Sequence, residues 1–510
     1  MVDLLFFQPI QLVPWCFFCI AYLVWRRYGF TRATGGRPLP PGPPGRPIVG
    51  KIFDFTQHDV HRLFMRYSEQ YGALHDLHGL GKRIIVLNEL SAINDLLENR
   101  AAIYSHRPES VSGGVLMGFS KSMILLPYGP EWRAHRKLAR MALGPTQLKE
   151  YAILQEDIAA SLAEALLDTP HDFFSLVRIG AGRMVIAVTY GIRNSAFQTE
   201  CIMNGERFVE FARRTFTPGN YLCDILPFLK HAPSWVPFQC ELQHGKEAFI
   251  EFQTKPFEYV KQEMDKGNIL PSLTLRLLQC PPQGMPDFER HLMWVGGAMF
   301  GGMPVCTYAT VLTFIMAMAL NRDKQRIAQA EIDAVIGGDR LPRIEDRRQL
   351  PYVDAVIKET MRWQPALPLA GLSRCTAHDD FYRGFFIPNN SIIVPNVWAI
   401  AYDPRSKYNP EAFIPERFMD VNEKIVDPDQ WAFGFGRRAC PGQNLGENSV
   451  FILVATILSV FDILPPENEA LEQEFTQHVF RSPKPFKCSI SPRTFAKARL
   501  VRLRAAEGVA

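Results

Sequence analysis

Ten residues, FGFGRRACPG at 433–442, constrain this chain more than any other stretch. Gly434 and Gly436 let the backbone turn tightly and come close to a flat ligand. Cys440 stands directly before Pro441, and the apolar run over about 442–459 has the length and spacing of a helix. A thiolate at such a position faces a helix N-terminus, where amide dipoles lower its basicity. Arg438, two residues before the cysteine, can pair with an acidic group on the same ligand. The plain alternative is a structural cysteine in a glycine-rich loop.

The other cysteines do not compete for a metal role. There are ten, at 16, 19, 201, 223, 240, 280, 306, 375, 440 and 488, and the only CxxC joins Cys16 to Cys19. No second pair matches it, so neither a zinc cluster nor a disulfide scaffold is expected. Most of them read as small buried hydrophobes. A net charge of +4 over 510 residues, with no long basic block, gives no reason to expect a nucleic-acid partner.

Residues 4–25 carry no charged side chain and are rich in Leu, Phe, Ile and Trp. Roughly 20 such residues cross a bilayer as a helix. Arg26 and Arg27 follow at once, which favours a cytosolic body by the positive-inside rule. A basic n-region and a small-residue cleavage site are both missing, so the segment predicts an uncleaved anchor over 1–30 rather than a signal peptide. Pro9 and Pro14 argue against a straight helix. The run RPLPPGPPGRPIVG at 37–50 resists helix and sheet, so 31–50 is expected to be a stiff hinge.

The rest, 51–510, shows no composition shift that divides it and no internal repeat. Residues 61–72 and 90–104 read as helical, and 73–88 as two short strands turning near Gly79 and Gly81. Helical spacing covers 132–206, with breaks near Asp168 and Asn194. The aromatic and proline-rich segment 214–238 suits a pocket roof that touches membrane, and equally a surface loop. Residues 287–320 predict a buried central helix, followed by helices over 322–336 and 351–364 and strand-like runs over 384–395.

Further residues carry weight beside the loop. Glu359 and Arg362 stand three apart on one helix face and can make an ion pair, with Arg417 as a third partner. The loop matches the pattern FxxGxRxCxG at Phe433, Gly436, Arg438, Cys440 and Gly442, and in this it resembles the haem loop of the cytochrome P450 family. The Glu–Arg–Arg set resembles the family's brace behind that loop. Trp132 and Arg136 resemble its WxxxR, whose side chains meet a haem propionate. Arg374 falls where the family often adds another propionate contact, although Ser373 stands where a histidine is common.

The resemblance implies a mainly α fold, a helical body with small β-sheets, behind the N-terminal transmembrane helix. It implies haem b with its iron on Cys440, and Trp132, Arg136, Arg374, Phe433, Gly436, Arg438 and Gly442 around the cofactor. It implies a monooxygenase of the endoplasmic reticulum membrane that takes electrons from NADPH through cytochrome P450 reductase, with cytochrome b5 as an optional second donor. The substrate it implies is a lipophilic small molecule, such as a terpenoid or polyketide of fungal secondary metabolism. The segments 106–125, 214–238, 366–372 and 477–480 are the expected pocket walls.

The central helix departs from the family. Where the family reads A/G-G-x-D/E-T-T/S, this chain has Gly301, Gly302, Met303, Pro304, Val305 and Cys306. In this register the acid has become Pro304, the alcohol Val305 and the next hydroxyl Cys306. Neither Pro304 nor Val305 can relay a proton. Pro304 also removes a bond to the carbonyl of Phe300 and favours a kink that water can fill. Thr307, two residues past Val305, is expected to turn away, and Cys306 to be a packed thiol. Three readings stay open: a monooxygenase with protons from water or a substrate hydroxyl; haem chemistry such as rearrangement, dehydration or peroxide use; or a haem-bearing scaffold with little turnover.

Overall fold

The computed structural model describes residues 34–508, apart from 47, 48, 218, 468 and 478. The anchor expected over 1–30 lies outside the described residues. The body is built around the 33-residue helix Phe288–Leu320. Val311, Leu312, Phe314, Ile315 and Met316 are fully buried on it, as a helix apolar on all sides must be. It runs unbroken through Pro304. It packs against Phe173–Tyr190, Pro130–Ala142, Pro237–Met264 and Gln443–Val460. Among the described residues two helices are long and apolar enough to cross a membrane, Pro170–Tyr190 and Phe288–Leu320, and both are mostly buried inside the body.

Several helices had no counterpart in the sequence reading, the C-terminal Phe495–Gly508 among them. Pro237–Met264 carries Pro256 in its interior, and the short Leu273–Gln279 starts at a Ser272 cap that accepts from the Leu275 amide. The breaks near Asp168 and Asn194 are present, with a further one at Leu143 and Gly144. Within 214–238 the chain makes short 3₁₀ turns, Leu222–Asp224 and Pro227–His231.

A four-stranded sheet flanks the helices. The hairpin Leu74–Gly79 (β1) and Lys82–Leu87 (β2) turns through Leu80 and Gly81, both at positive φ. Arg374–Cys375 (β3) comes next in the chain, then the antiparallel pair Asp380–Tyr382 (β4) and Phe385–Ile387 (β5), then Ile392–Pro395 (β6). The sheet order is β1-β2-β6-β3, with β6 parallel to β2 and β3 antiparallel to β6. That last pairing sets Arg374 opposite Ile393 and fixes the backbone of an otherwise isolated cation. The described part of the proline-rich segment is docked on the body. Pro41 O accepts from Asp76 N at 2.8 Å and Pro38 O from Phe386 N at 2.8 Å.

Glu359 and Arg362 lie on the helix Pro351–Trp363, both buried. Arg362 Nε donates to Glu359 Oε2 at 2.6 Å and Nη2 to Oε1 at 2.9 Å. Arg417 Nε lies 3.0 Å from Glu359 Oε2. The remaining guanidinium donors reach the carbonyls of Ala401, Asn409, Pro410 and Ala412. One carboxylate and two cations thus pin the irregular segment that leads into the cysteine loop. Each buried charge has partners, as burial requires.

Candidate active site

The cysteine loop is held by its own backbone. Cys440 N donates to Phe433 O at 2.7 Å, closing the turn. Gly434 and Gly436 both take positive φ. A Cβ on Gly436 would run into the carbonyl oxygen of Leu97, so glycine is required there on two counts. Gly436 N donates to Glu98 Oε1 at 2.9 Å, which docks the loop on a neighbouring turn. The helix Gln443–Val460 starts just after Gly442. Burial raises the Cys440 thiol, while the Gly442 amide and Arg136 pull it down.

Above this loop is a cavity of about 280 Å³. Cys440, Phe433, Gly442, Trp132, Arg136, Arg374 and Arg438 all line it, coming from three separate stretches of chain. Gly436 stands outside the lining and acts on the loop backbone. The segments 106–125, 366–372 and 477–480 each contribute to the walls through Ile124, Leu372 and Phe480, among others. The segment 214–238 does not line this cavity. Phe216 and Thr217 border a smaller neighbouring one instead.

The charge on the walls is one-sided. Arg136 Nη1 donates to Ala439 O at 2.7 Å, and Arg374 Nη2 to Phe435 O at 2.6 Å. Arg438 spends its donors on Ser105 O, Met123 O and Leu126 O, and its guanidinium lies 4.7 Å from the Trp132 ring centre. A fourth cation, Arg107, lines the same cavity and bonds Ile124 O at 2.9 Å and Ser373 O at 2.8 Å. Burial, then mutual repulsion, pushes Arg438 down to about 8 and Arg374 down to about 9. A guanidinium does not give up its proton under ordinary conditions, so this strain calls for an anion instead. Two donors, Arg136 Nε and Arg374 Nη1, are buried without a partner among the described residues.

Arg107 has no motif around it, and only its burial reveals it. The central helix also corrects the sequence reading. Its cavity-lining residues include Gly302, Cys306, Thr307 and Thr310. Val305 is buried outside that lining. The stripe facing the cavity therefore runs through Cys306, one residue later than the register read from the sequence. Thr307, expected to turn away, sits one residue beyond Cys306 and reaches the cavity. Thr310 Oγ1 donates to Cys306 O at 2.9 Å.

The cytochrome P450 family model matches residues 40–490. The chain belongs to the cytochrome P450 family. A cytochrome P450 monooxygenase of Ampulloclitocybe clavipes, claR, is 34% identical over 481 residues, which is 91% of this chain and 88% of that protein. The monooxygenase COX1 of Coprinopsis cinerea is 33% identical over 497 residues, 92% of this chain and 94% of that one. A solved zebra fish cytochrome P450 with progesterone superposes with a TM-score of 0.71 at 24% identity, over 85% of this chain and 99% of that chain, and shows the same fold. This P450 is a haem-thiolate monooxygenase with haem b as its cofactor. The cavity fits that group. It offers a thiol, an apolar wall and buried guanidinium donors without partners, suited to the two carboxylates of a haem.

Proposed function

We propose that this P450 inserts one oxygen atom from O2 into a lipophilic small molecule, using electrons passed from NADPH by a cytochrome P450 reductase. The observation that carries this reading is the single cavity in which Cys440, four arginines and an apolar wall meet. We assign Cys440 as the iron ligand. Phe433, Gly436 and Gly442 shape the loop that would receive the haem. Arg136 and Arg374 would hold the propionates with the donors they have left over, and Trp132, Arg438 and Arg107 would support them. Haem with a thiolate ligand supplies oxygen activation, which no side chain here can perform.

The chain's own residues orient substrate and handle water. Met299, Ala366, Leu367, Leu372 and Phe480 give the substrate an apolar wall. Proton supply falls to Thr307 with water, since Val305 and Cys306 stand where acid and alcohol are usual. The fungal relatives and this wall support a terpenoid or polyketide of secondary metabolism as the substrate class.

The domain limits follow the same reading: an anchor over 1–30, a hinge over 31–50 and the catalytic body over 51–510. The anchor holds the body on the cytosolic side of the endoplasmic reticulum membrane, with Arg26 and Arg27 at the boundary. Leu222, Phe228 and Trp235 are exposed apolar side chains suited to the bilayer surface. Arg133, Lys137, Arg140 and Arg437 are exposed around one depression and suit an acidic electron donor, the reductase or cytochrome b5.

The test is coexpression with a fungal reductase, a lipophilic extract, NADPH and isotopically labelled dioxygen, with Cys440→Ala as control. The expected result is a labelled, NADPH-dependent product that the control lacks. An unlabelled product would point to rearrangement, dehydration or an oxidation that leaves no oxygen in the product. Haem incorporation with no turnover of any substrate tried would favour the scaffold reading.

A further inference from the structure

We infer that Glu131, His135 and His291 form a binding site for a divalent cation of the Zn2+ class, separate from the haem cavity. Glu131 and His135 are one helical turn apart on Pro130–Ala142, so they share a face. His291 lies in the first turn of the central helix Phe288–Leu320. One ligand atom from each of the three lies within 4.8 Å of the others. His135 Nε2 and His291 Nδ1 are 3.1 Å apart. A tetrahedral ion with bonds of about 2.0–2.2 Å sets its ligands roughly 3.3–3.6 Å apart, so small side-chain shifts admit one.

The chemistry of the set matches the geometry. Two imidazoles and a carboxylate are borderline ligands that suit Zn2+ better than Ca2+ or Mg2+. Without metal, the two rings share one proton across the 3.1 Å contact. A cation takes a lone pair from each ring, so the ring that donates across this contact moves its proton to its other nitrogen; on His135 that is Nδ1, which is buried without a partner among the described residues. The Lys121 ammonium lies 3.1 Å from Glu131 Oε2 and balances that carboxylate when no metal is bound. Glu131 is partly exposed, which leaves a path for the ion and room for a water as fourth ligand.

The location gives the site a consequence. Trp132 and Arg136 on one helix, and Ala298 and Met299 on the other, line the haem cavity. A cation between Glu131, His135 and His291 ties those two helices together just outside it. The site is not needed for the oxygenase reading and can fail without touching it.

The test uses full-chain, tag-free holoenzyme, freed of metal by chelator dialysis and titrated with Zn2+ against a chromophoric chelator. One Zn2+ per chain is expected, with a rise in melting temperature on binding. His291→Gln and Glu131→Gln are each expected to weaken binding by roughly tenfold or more, as loss of a ligand must at least match loss of an outer-shell partner. The ferrous–CO spectrum checks that each variant keeps its fold. His171→Gln, at an exposed histidine elsewhere, and the double change Cys240→Ser, Cys280→Ser are expected to bind as the parent does. Failure of the parent to hold stoichiometric Zn2+, or equal binding by folded His291→Gln and Glu131→Gln, overturns the inference.

Discussion

Cys306 on the central helix and Cys440 in the loop line one cavity. Burial first, and then the neighbouring Cys440, push the Cys306 thiol up to about 12. A thiol is only a weak hydrogen-bond donor and a weak acceptor, unlike a hydroxyl. The residue nearest to the usual alcohol position is therefore a weak relay.

Thr307 is the hydroxyl left for that task. Thr310 also lines the cavity, but its hydroxyl is bound to the Cys306 carbonyl. Thr307→Val is expected to lower product formed per NADPH by roughly 10²-fold, the low end for a lost proton-transfer group, with hydrogen peroxide made instead. Cys306→Thr is expected to move in the opposite direction, with more product and less peroxide. Product, NADPH and peroxide measured together in one assay decide it. An unchanged ratio in Thr307→Val would assign proton supply to water or to the substrate.

Arg374 is predicted to have opposite effects on the two forms of the protein. Its side chain is buried, with one donor on Phe435 O and another unpaired. In the haem-free chain that is an uncompensated charge. Arg374→Leu should therefore stabilise the haem-free chain by roughly 1–4 kcal/mol, the gain seen when buried ions give way to apolar groups. The same change should speed haem loss to apomyoglobin. Urea melts of the haem-free chain and the transfer rate give the two signs separately. Faster haem loss without added stability would mean that the arginine is already neutralised within the protein.

The cysteine loop, the Glu359–Arg362–Arg417 set, the β1–β2 hairpin and the central helix were legible because each rests on local pattern. Glycines, a fixed spacing or an unbroken apolar run announce them. The face of the central helix was not legible. The helix is apolar all round, so no polar stripe marks which side meets the cavity, and the register slipped by one residue at Val305 and Cys306. Pro237–Met264 was hidden by Pro256 in its interior. Arg107 was hidden because a cation looks like a surface residue until the chain folds over it. His135 and His291 are 156 positions apart, and only the packing of two helices unites them.

The buried triad should be required for the fold. Glu359 receives Arg362, Arg417 and the Ile414 amide, the last at 2.7 Å. Glu359→Gln leaves two buried cations facing a neutral group, a loss of about 3–5 kcal/mol for a broken buried pair. Little holoprotein should accumulate, seen as loss of the ferrous–CO band in whole-cell extract. A full band at normal yield would mean that backbone carbonyls alone hold the two arginines.

Asp429 sets a pH dependence that runs against the usual acid behaviour. Burial first, and then Glu447 and Asp427 nearby, raise its carboxyl from an ordinary value of 3.8 to about 6. The folded protein therefore binds this proton more tightly than the unfolded chain does. Any group raised in this way costs stability once it ionises, so the cost is absent below about pH 4, grows between 4 and 6, and is complete above 6. Asp429→Asn removes the charge while keeping the shape. The variant should melt higher than the parent at pH 7–8, and the two curves should converge towards pH 4. Melting temperatures of the holoenzyme across that range test it. A constant offset between the curves would assign the effect to packing, and a variant less stable at pH 8 would mean that Lys358 and Arg347 outweigh the two neighbouring carboxylates.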